Sequence, residues 1–177
     1  GVAIAAWPTG SGREGVNYSD RSYIREALAA GRTVVGPPVI GRTLGVPVVG
    51  MAAPIRDARG TLVGALAGVI ELRSTEFLED FHERSFGEGG QYLVVDPGTR
   101  VVVSSTDMAR IMEKLPEAGK ASWVDLLLGD FEGTLITVDQ KGEPVLGTLL
   151  KVPSAGWRVA LTVPLGAAFR PAAELGR

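Results

Sequence analysis

The chain has 177 residues, of which 45% are hydrophobic and 21% are charged, and its formal net charge is −2. This is the composition of a globular domain that can bury one good core or two small ones. Its 18 basic and 20 acidic residues are interspersed, so no basic patch indicates nucleic acid as a partner. The lack of cysteine excludes thiolate metal sites, disulfides and a cysteine nucleophile. His82 is the only histidine, which gives little support to a metal cluster or a catalytic triad.

Residues 2–7 form the first apolar stretch and predict a short strand that ends at Pro8. Because the chain begins directly with this strand, we expect it to be part of a longer protein. Residues 10–15 then match G-x-G-x-x-G, which binds dinucleotides when it opens a helix directly after a strand. Here the next helix begins only near Ser19, and no acidic residue ends the strand that follows it. We therefore predict a flexible loop and no nucleotide site.

The first predicted helix runs from a cap at Ser19 or Asp20 to a stop at Gly31. Its apolar stripe consists of Tyr23, Ile24, Ala27 and Leu28. Arg21 falls on the flank of this stripe and opposes the helix dipole in the first turn. The side chain is therefore a candidate ligand for an anion. The alternative is that Arg21 extends to solvent or pairs with Asp20.

Residues 33–35 predict a short strand that ends at Gly36, and residues 46–55 and 61–72 predict two long ones. The loop between the long strands, residues 56–60, has hairpin length and ends in glycine. Both long strands are apolar on both faces, which indicates a sheet covered on both sides. Gly64 and Gly68 share one face and suggest either a small cavity or a place where the sheet bends or a helix packs closely.

The second half of the chain predicts a further set of elements after a glycine-rich break at residues 86–90. Residues 75–85 before the break predict an acidic helix, and residues 107–114 predict a short one. Residues 122–128 fit either a helix or a strand, and residues 165–175 are weakly helical. Five strands are predicted, in a hairpin and then in a series, at residues 91–95, 100–104, 133–138, 144–152 and 156–163. The chain thus predicts two α+β subdomains, with a boundary between about residues 72 and 90.

Several segments resemble those of Cache sensor domains. Residues 20–28, Asp-Arg-Ser-Tyr-Ile-Arg-Glu-Ala-Leu, are similar to the D-R-x-Y-F-x-x-A-L helix of that family. Residues 38–49 resemble its "pvi.s..tG.pvv" segment, and residues 53–66 its "a.Pi.d..G.lvGvl" hairpin. Residues 156–160 resemble its penultimate G-W-x-hydrophobic strand. The resemblance extends over nearly the whole chain, and the order and spacing of the four segments make it specific.

The resemblance implies a double Cache fold, in which each of two PAS-like modules has a central antiparallel sheet flanked by helices. Residues 1–73 would form the membrane-distal, ligand-binding module and residues 74–164 the membrane-proximal one. Residues 165–177 would lead towards a membrane helix, and the family's long N-terminal helix would be missing or truncated. The chain would then be the periplasmic or extracellular sensor of an inner-membrane receptor that forms a homodimer. Such receptors are chemotaxis transducers, sensor histidine kinases and diguanylate cyclases.

The resemblance also implies a ligand-binding function with no enzymatic activity and no cofactor or metal in this chain. The matching positions assign ligand contacts to Arg21, Tyr23, Arg42, Thr43, Met51 and Trp7. The amino-acid-binding subgroup carries a Y-x-x-R-x-W motif that is not found here, so a small carboxylate is the expected ligand. The alternatives are a sensor of an amino acid or another small molecule, and a structural or dimerisation module that binds nothing. No carboxylate pair, triad or phosphate loop supports an enzyme.

Overall fold

The computed structural model describes residues 1–74, 88–139 and 141–169. The chain separates into two compact units, Gly1–Leu72 and Arg73–Arg177. The acidic helix predicted over residues 75–85, His82 and most of the predicted C-terminal helix lie outside the described residues.

The first unit is a three-stranded antiparallel sheet with one helix packed on it. The helix is α1 (Ser22–Ala30), and the strands are β1 (Val34–Ile40), β2 (Pro47–Arg56) and β3 (Leu62–Glu71) in the order β1-β2-β3. The predicted strands over residues 46–55 and 61–72 are confirmed as β2 and β3. They pair along their whole length as a hairpin, with Val49 opposite Ile70.

Helix α1 confirms its predicted stripe and its predicted stop. Tyr23, Ile24 and Ala27 pack with Val34 of β1 and Ala52 of β2 into the core of the unit. Gly31 ends the helix with a positive φ of 62°, and its N–H donates to the carbonyl of Ala27. The predicted cap at Ser19 or Asp20 is wrong, because Arg21 occupies the N-cap position and no side chain caps the helix.

Strand β1 is longer than predicted. It continues past Gly36 to Ile40 because a bulge between Val35 and Pro38 absorbs the two residues that cannot follow the regular ladder. Proline has no N–H to donate, and at a bulge on an edge strand it leaves few ladder bonds unmade. The sequence cue that ended the strand, Gly-Pro-Pro, thus marks an irregularity within it.

The predicted strand over residues 2–7 is wrong. Only Val2 makes an isolated bridge, to Asn17, and Ile4 is 96% exposed. Apolar residues alone do not make a strand, since the backbone needs a partner strand along its length. Residues 10–15 form turns well before α1, which confirms the predicted loop.

The second unit contains a five-stranded antiparallel sheet in the order β5-β4-β8-β7-β6. Its elements include β4 (Gln91–Asp96), β5 (Val101–Ser105), β6 (Gly133–Val138), β7 (Pro144–Val152) and β8 (Trp157–Pro164), with the helices α2 (Ser122–Leu128) and α3 (Leu165–Ala168). All five predicted strands are confirmed. The β4–β5 hairpin closes as its turn residues predict, since the Asp96 carboxylate accepts a 2.9 Å hydrogen bond from the N–H of Thr99.

The core of the second unit lies between its sheet and α2. Residues 122–128, ambiguous in sequence, are helical because Val124 and Leu127, three positions apart, both face that core. The predicted helix over residues 107–114 is wrong apart from a 3₁₀ turn at Met108–Arg110. There the chain turns back to pair with β5, and the Met112 N–H donates to the carbonyl of Val102.

Both units are therefore α+β, with antiparallel sheets of three and five strands and few helices among the described residues. This confirms the predicted α+β fold class.

Candidate functional site

Two charged residues, Asp20 and Arg21, directly precede the first helical residue of α1, Ser22. Arg21, at the N-cap, has extended backbone angles of −76° and 121°, and its side chain cannot accept a hydrogen bond from the first turn. No acidic residue lies in that turn either. The free N–H groups and the helix dipole therefore remain available to an anion.

Arg21 itself is half-buried, and within the described part of the chain its side chain makes no ion pair and no hydrogen bond. The predicted alternative, a pair with Asp20, is not formed there, because the Asp20 carboxylate lies 2.5 Å from Nη2 of Arg42 instead. A guanidinium that is partly shielded from water and has no partner can bind a carboxylate strongly.

Arg42 lies next to the segment that precedes α1. Its Nη2 donates to Asp20 and its Nη1 donates to the carbonyl of Asn17 at 2.8 Å. Its guanidinium carbon lies 5.9 Å from the centre of the Tyr18 ring, within the range of a cation–π interaction. These contacts fix Arg42 in one position and join residues 17–20 to the loop between β1 and β2.

That loop is a tight turn whose geometry follows from its glycines. The N–H of Gly41 donates to the carbonyl of Val46, and Gly45 has a positive φ of 68° that a side chain would disfavour. Arg42 and Thr43 are consequently carried at the tip, and Thr43 is exposed. The tip and the start of α1 form one corner of the unit, which we call the α1 corner (residues 17–23 and 41–46).

Tyr23 lies under this corner, buried between α1 and the sheet. Its ring lies over Gly36 of β1 and Gly50 of β2, where a Cβ atom at Gly50 would come within 2.3 Å of the ring. Burial raises the pKa of the Tyr23 hydroxyl above its usual value of 10.0, while the positive charge of Arg21 opposes that rise.

The structure thus brings Arg21, Tyr23, Arg42 and Thr43 together in or next to the α1 corner, but it places the other two candidates elsewhere. Gly50 and Ala52 face α1, so Met51 between them points to the opposite face of the sheet, where it lies near Gly68. Trp7 is 84% exposed in the irregular segment before α1.

The glycines that mark close packing are also different from those singled out in the sequence. A Cβ atom at Gly64 would meet no described atom within 4 Å, and one at Gly68 would meet only Met51. The close approach is made at Gly36 and Gly50 instead. The predicted explanation, that glycine lets a helix pack closely on the sheet, therefore applies to β1 and β2.

Sequence reasoning did not select Asn17, Tyr18 or Asp20 as site residues. Asp20 and Arg42 are 22 positions apart, and no local spacing relates them. The sequence gives no signal for this pair, because it predicts Asp20 as a possible cap of α1, and only the structure shows that the helix has no side-chain cap.

The family comparison identifies the class of protein. Residues 1–172 match the family of the Cache domain, so the chain belongs to the Cache domain family. The family predicted from four short segments of sequence is thereby confirmed.

Three solved structures are similar to this chain in fold. The extracellular domain of the histidine kinase mmHK1S-Z3 has a TM-score of 0.70 at 19% identity, over 92% of this chain and 60% of that one. The periplasmic sensory domain of the Campylobacter jejuni chemoreceptor Tlp1 has a TM-score of 0.61 at 16% identity, over 86% and 58%. The ligand-binding domain of the Pseudomonas aeruginosa chemoreceptor PctC, solved with GABA, has a TM-score of 0.55 at 25% identity, over 90% of this chain and 64% of that one.

This chain therefore spans less than two thirds of each of those three domains. The neighbours are periplasmic or extracellular sensor domains of receptors, which agrees with the predicted location. Among residues 1–74, 88–139 and 141–169, no helix combines the length and the hydropathy that crossing a bilayer requires.

Proposed function

We propose that this chain is the extracytoplasmic sensor domain of a membrane-anchored receptor, and that its first unit binds a small carboxylate at the α1 corner. The observation that carries the proposal is the half-buried, unpaired guanidinium of Arg21 beside the uncapped first turn of α1. Both groups attract the same kind of ligand, a compact anion with oxygen acceptors.

The chemistry of such a complex follows from the donors present. A carboxylate can accept two parallel N–H bonds from Arg21, and the free amides of the first turn can donate to the same oxygens. The Tyr23 hydroxyl is neutral at physiological pH, because the usual tyrosine pKa of 10.0 is well above that pH and burial raises it further. It is therefore a further donor, while Arg42 and Thr43 would cover the ligand from the tip of the β1–β2 loop.

An amino acid or ω-amino acid is the second candidate ligand. The PctC domain was solved with GABA, which carries a carboxylate and an ammonium group. In this chain the exposed carboxylate of Asp20, adjacent to Arg21, is the one acidic group of the α1 corner (residues 17–23 and 41–46) and could accept an ammonium group. A structural or dimerisation role without any ligand is the third reading.

The remaining assignments belong to the same proposal. Residues 1–73 would be the membrane-distal module, residues 74–164 the membrane-proximal one, and residues 165–177 the connection towards a membrane helix. The full receptor would act as a homodimer. Ligand binding would shift an equilibrium between two arrangements of the receptor, by no more than the ligand's difference in affinity for them.

A thermal-shift screen of small carboxylates and amino acids tests the proposal. A ligand that binds only the folded state raises its stability by about 2.7 kcal/mol at 100 times the dissociation constant. We expect one or more carboxylates to raise the Tm of the unaltered chain and to lose that effect in Arg21→Ala. The matched control is Arg25→Ala, which removes the same charge from an exposed position on the same helix.

The outcomes separate the three readings. A shift that survives in Arg21→Ala would move the site away from the α1 corner. Shifts with amino acids but not with their deaminated analogues would favour the second candidate. No shift with any compound would contradict the sensor proposal for these ligand classes and favour a structural module.

A further inference from the structure

We propose that Asp20 determines how many negative charges the α1 corner accepts, and that it makes the site selective for ligands with a single carboxylate. The inference rests on the proposed function and concerns the same site. Asp20 would act as a specificity-determining residue that need not touch the ligand, since it acts by occupying Arg42.

The contacts of the two arginines differ in a way that matters for ligand charge. Arg42 is already neutralised, because Asp20 lies 2.5 Å from its Nη2 and the Asn17 carbonyl accepts from its Nη1 at 2.8 Å. Arg21 has neither kind of partner among the residues that the structure describes. Two guanidinium groups and one carboxylate thus leave one positive charge uncompensated at the corner.

One uncompensated charge is matched by one ligand carboxylate. The second carboxylate of a dianion would lie near Arg42, whose charge Asp20 already balances. That carboxylate would also be repelled by the negative charge of Asp20, whose side chain is 57% exposed. Like charges at short distance oppose binding, and both groups would have to lose water. A dianion therefore gains little from Arg42 as long as Asp20 is ionised.

The substitution Asp20→Asn removes the negative charge of the side chain and nearly preserves its shape. Its amide oxygen can still accept from Nη2 of Arg42, so the loop stays in place, but the charge of Arg42 becomes available to a ligand. Glu26→Gln makes the same change of net charge at an exposed position farther along α1, so it is the matched control for long-range effects.

The test is calorimetric titration with butanoate and succinate, which have the same chain length and differ in one carboxylate. We expect the unaltered chain and Glu26→Gln to prefer butanoate. In Asp20→Asn the ratio of the succinate to the butanoate association constant should rise roughly 1.5- to 5-fold, the range of one exposed ion pair. If Asp20→Asn does not fold, Arg42→Gln serves instead, and there the ratio should fall because Asp20 is left uncompensated.

Each other result overturns the inference. If both probes bind and their ratio in Asp20→Asn equals that of the unaltered chain, Asp20 does not set ligand charge, while the proposed function stands. If Glu26→Gln changes the ratio as much as Asp20→Asn does, Asp20 again does not set ligand charge, and the proposed function stands. If neither probe binds the unaltered chain or Asp20→Asn, the carboxylate proposal fails and this inference fails with it.

Discussion

Tyr23 is the residue on which the packing of the first unit depends most. It is 7% exposed, and its ring fills the space that two glycines leave open on β1 and β2. A β-strand with ordinary side chains at Gly36 and Gly50 would hold α1 farther from the sheet. The same close packing removes the hydroxyl of Tyr23 from bulk water and so raises its pKa.

Gly50→Ala should therefore destabilise the first unit. The added Cβ would lie 2.3 Å from the Tyr23 ring, so the ring or the helix would have to move. Overpacking of this kind costs about 1–3 kcal/mol, which corresponds to a Tm lower by roughly 2–10 °C in a chain of this size. Thermal denaturation measures the change.

The control for this substitution is Gly64→Ala on β3. A Cβ at Gly64 would meet no described atom within 4 Å, and its φ does not lie in the left-handed region. Its Tm should stay the same or rise slightly, since alanine restricts the unfolded chain. Equal losses of stability at both positions would contradict the packing described for Tyr23.

At the scale of single residues, the sequence predicted the buried stripe of α1 but not the partners of the charged side chains. Tyr23, Ile24 and Ala27 follow helical periodicity, which local spacing reveals. The contacts of Arg42 with Asp20 and Asn17 join segments 22 and 25 positions apart. They depend on the packing of α1 against the sheet, which no local pattern encodes.

At the scale of elements, α1 is capped at its C-terminus but not at its N-terminus. Gly31 provides the left-handed stop, whereas Arg21 leaves the first turn without a cap and places a positive charge against the helix dipole. Residues that break a local rule of stability often serve a function. This asymmetry supports a ligand-binding role for Arg21.

Arg21→Ser should raise stability and abolish binding at once. Serine at the N-cap can accept from the first turn, which is worth about 1 kcal/mol, or roughly 2–4 °C in Tm. At the same time the carboxylate found in the thermal screen should bind at least tenfold more weakly, because its charged partner is gone.

The control is Arg25→Ser, the same substitution inside the helix at an exposed position. Its Tm should fall slightly, since serine is a poorer helix former than arginine, and its affinity should not change. Retained binding in Arg21→Ser, measured by titration calorimetry, would contradict the role given to Arg21.

The sequence predicted correctly the elements that contain long runs of apolar residues. Strands β2, β3, β7 and β8 are long runs bounded by turn residues, and they lie where those patterns indicate. The failures have identifiable physical causes. Only the first residues of the segment 2–7 pair, with residues 15–18, and β1 passes its Gly-Pro-Pro segment by a bulge. Residues 108–110 form a 3₁₀ turn, and residues 112–114 pair with β5 instead of continuing a helix.

At the scale of the whole molecule, the chain contains two α+β units, and the Cache domain match over residues 1–172 includes the described elements of both. The neighbours extend beyond the region that matches this chain, which covers 60% of the mmHK1S-Z3 domain. The identity of the fold could be predicted because short segments recur in the family in a fixed order. The geometry of the α1 corner could not, because it depends on contacts between segments 22 and 25 positions apart, which no short motif records.

The measurement that tests the central claim most directly is a two-dimensional ¹⁵N–¹H spectrum of the chain, titrated with the carboxylate that raises Tm most in the thermal screen. We expect the amide signals of residues 17–24 and 41–46, in the unit Gly1–Leu72, to move on titration. The Ser22 and Tyr23 amides should move most, since they belong to the uncapped first turn of α1, whereas the Arg21 amide already donates to the carbonyl of Tyr18. Changes concentrated in residues 91–105 or 157–164, with the α1 corner unaffected, would contradict the account and place the ligand in the second unit.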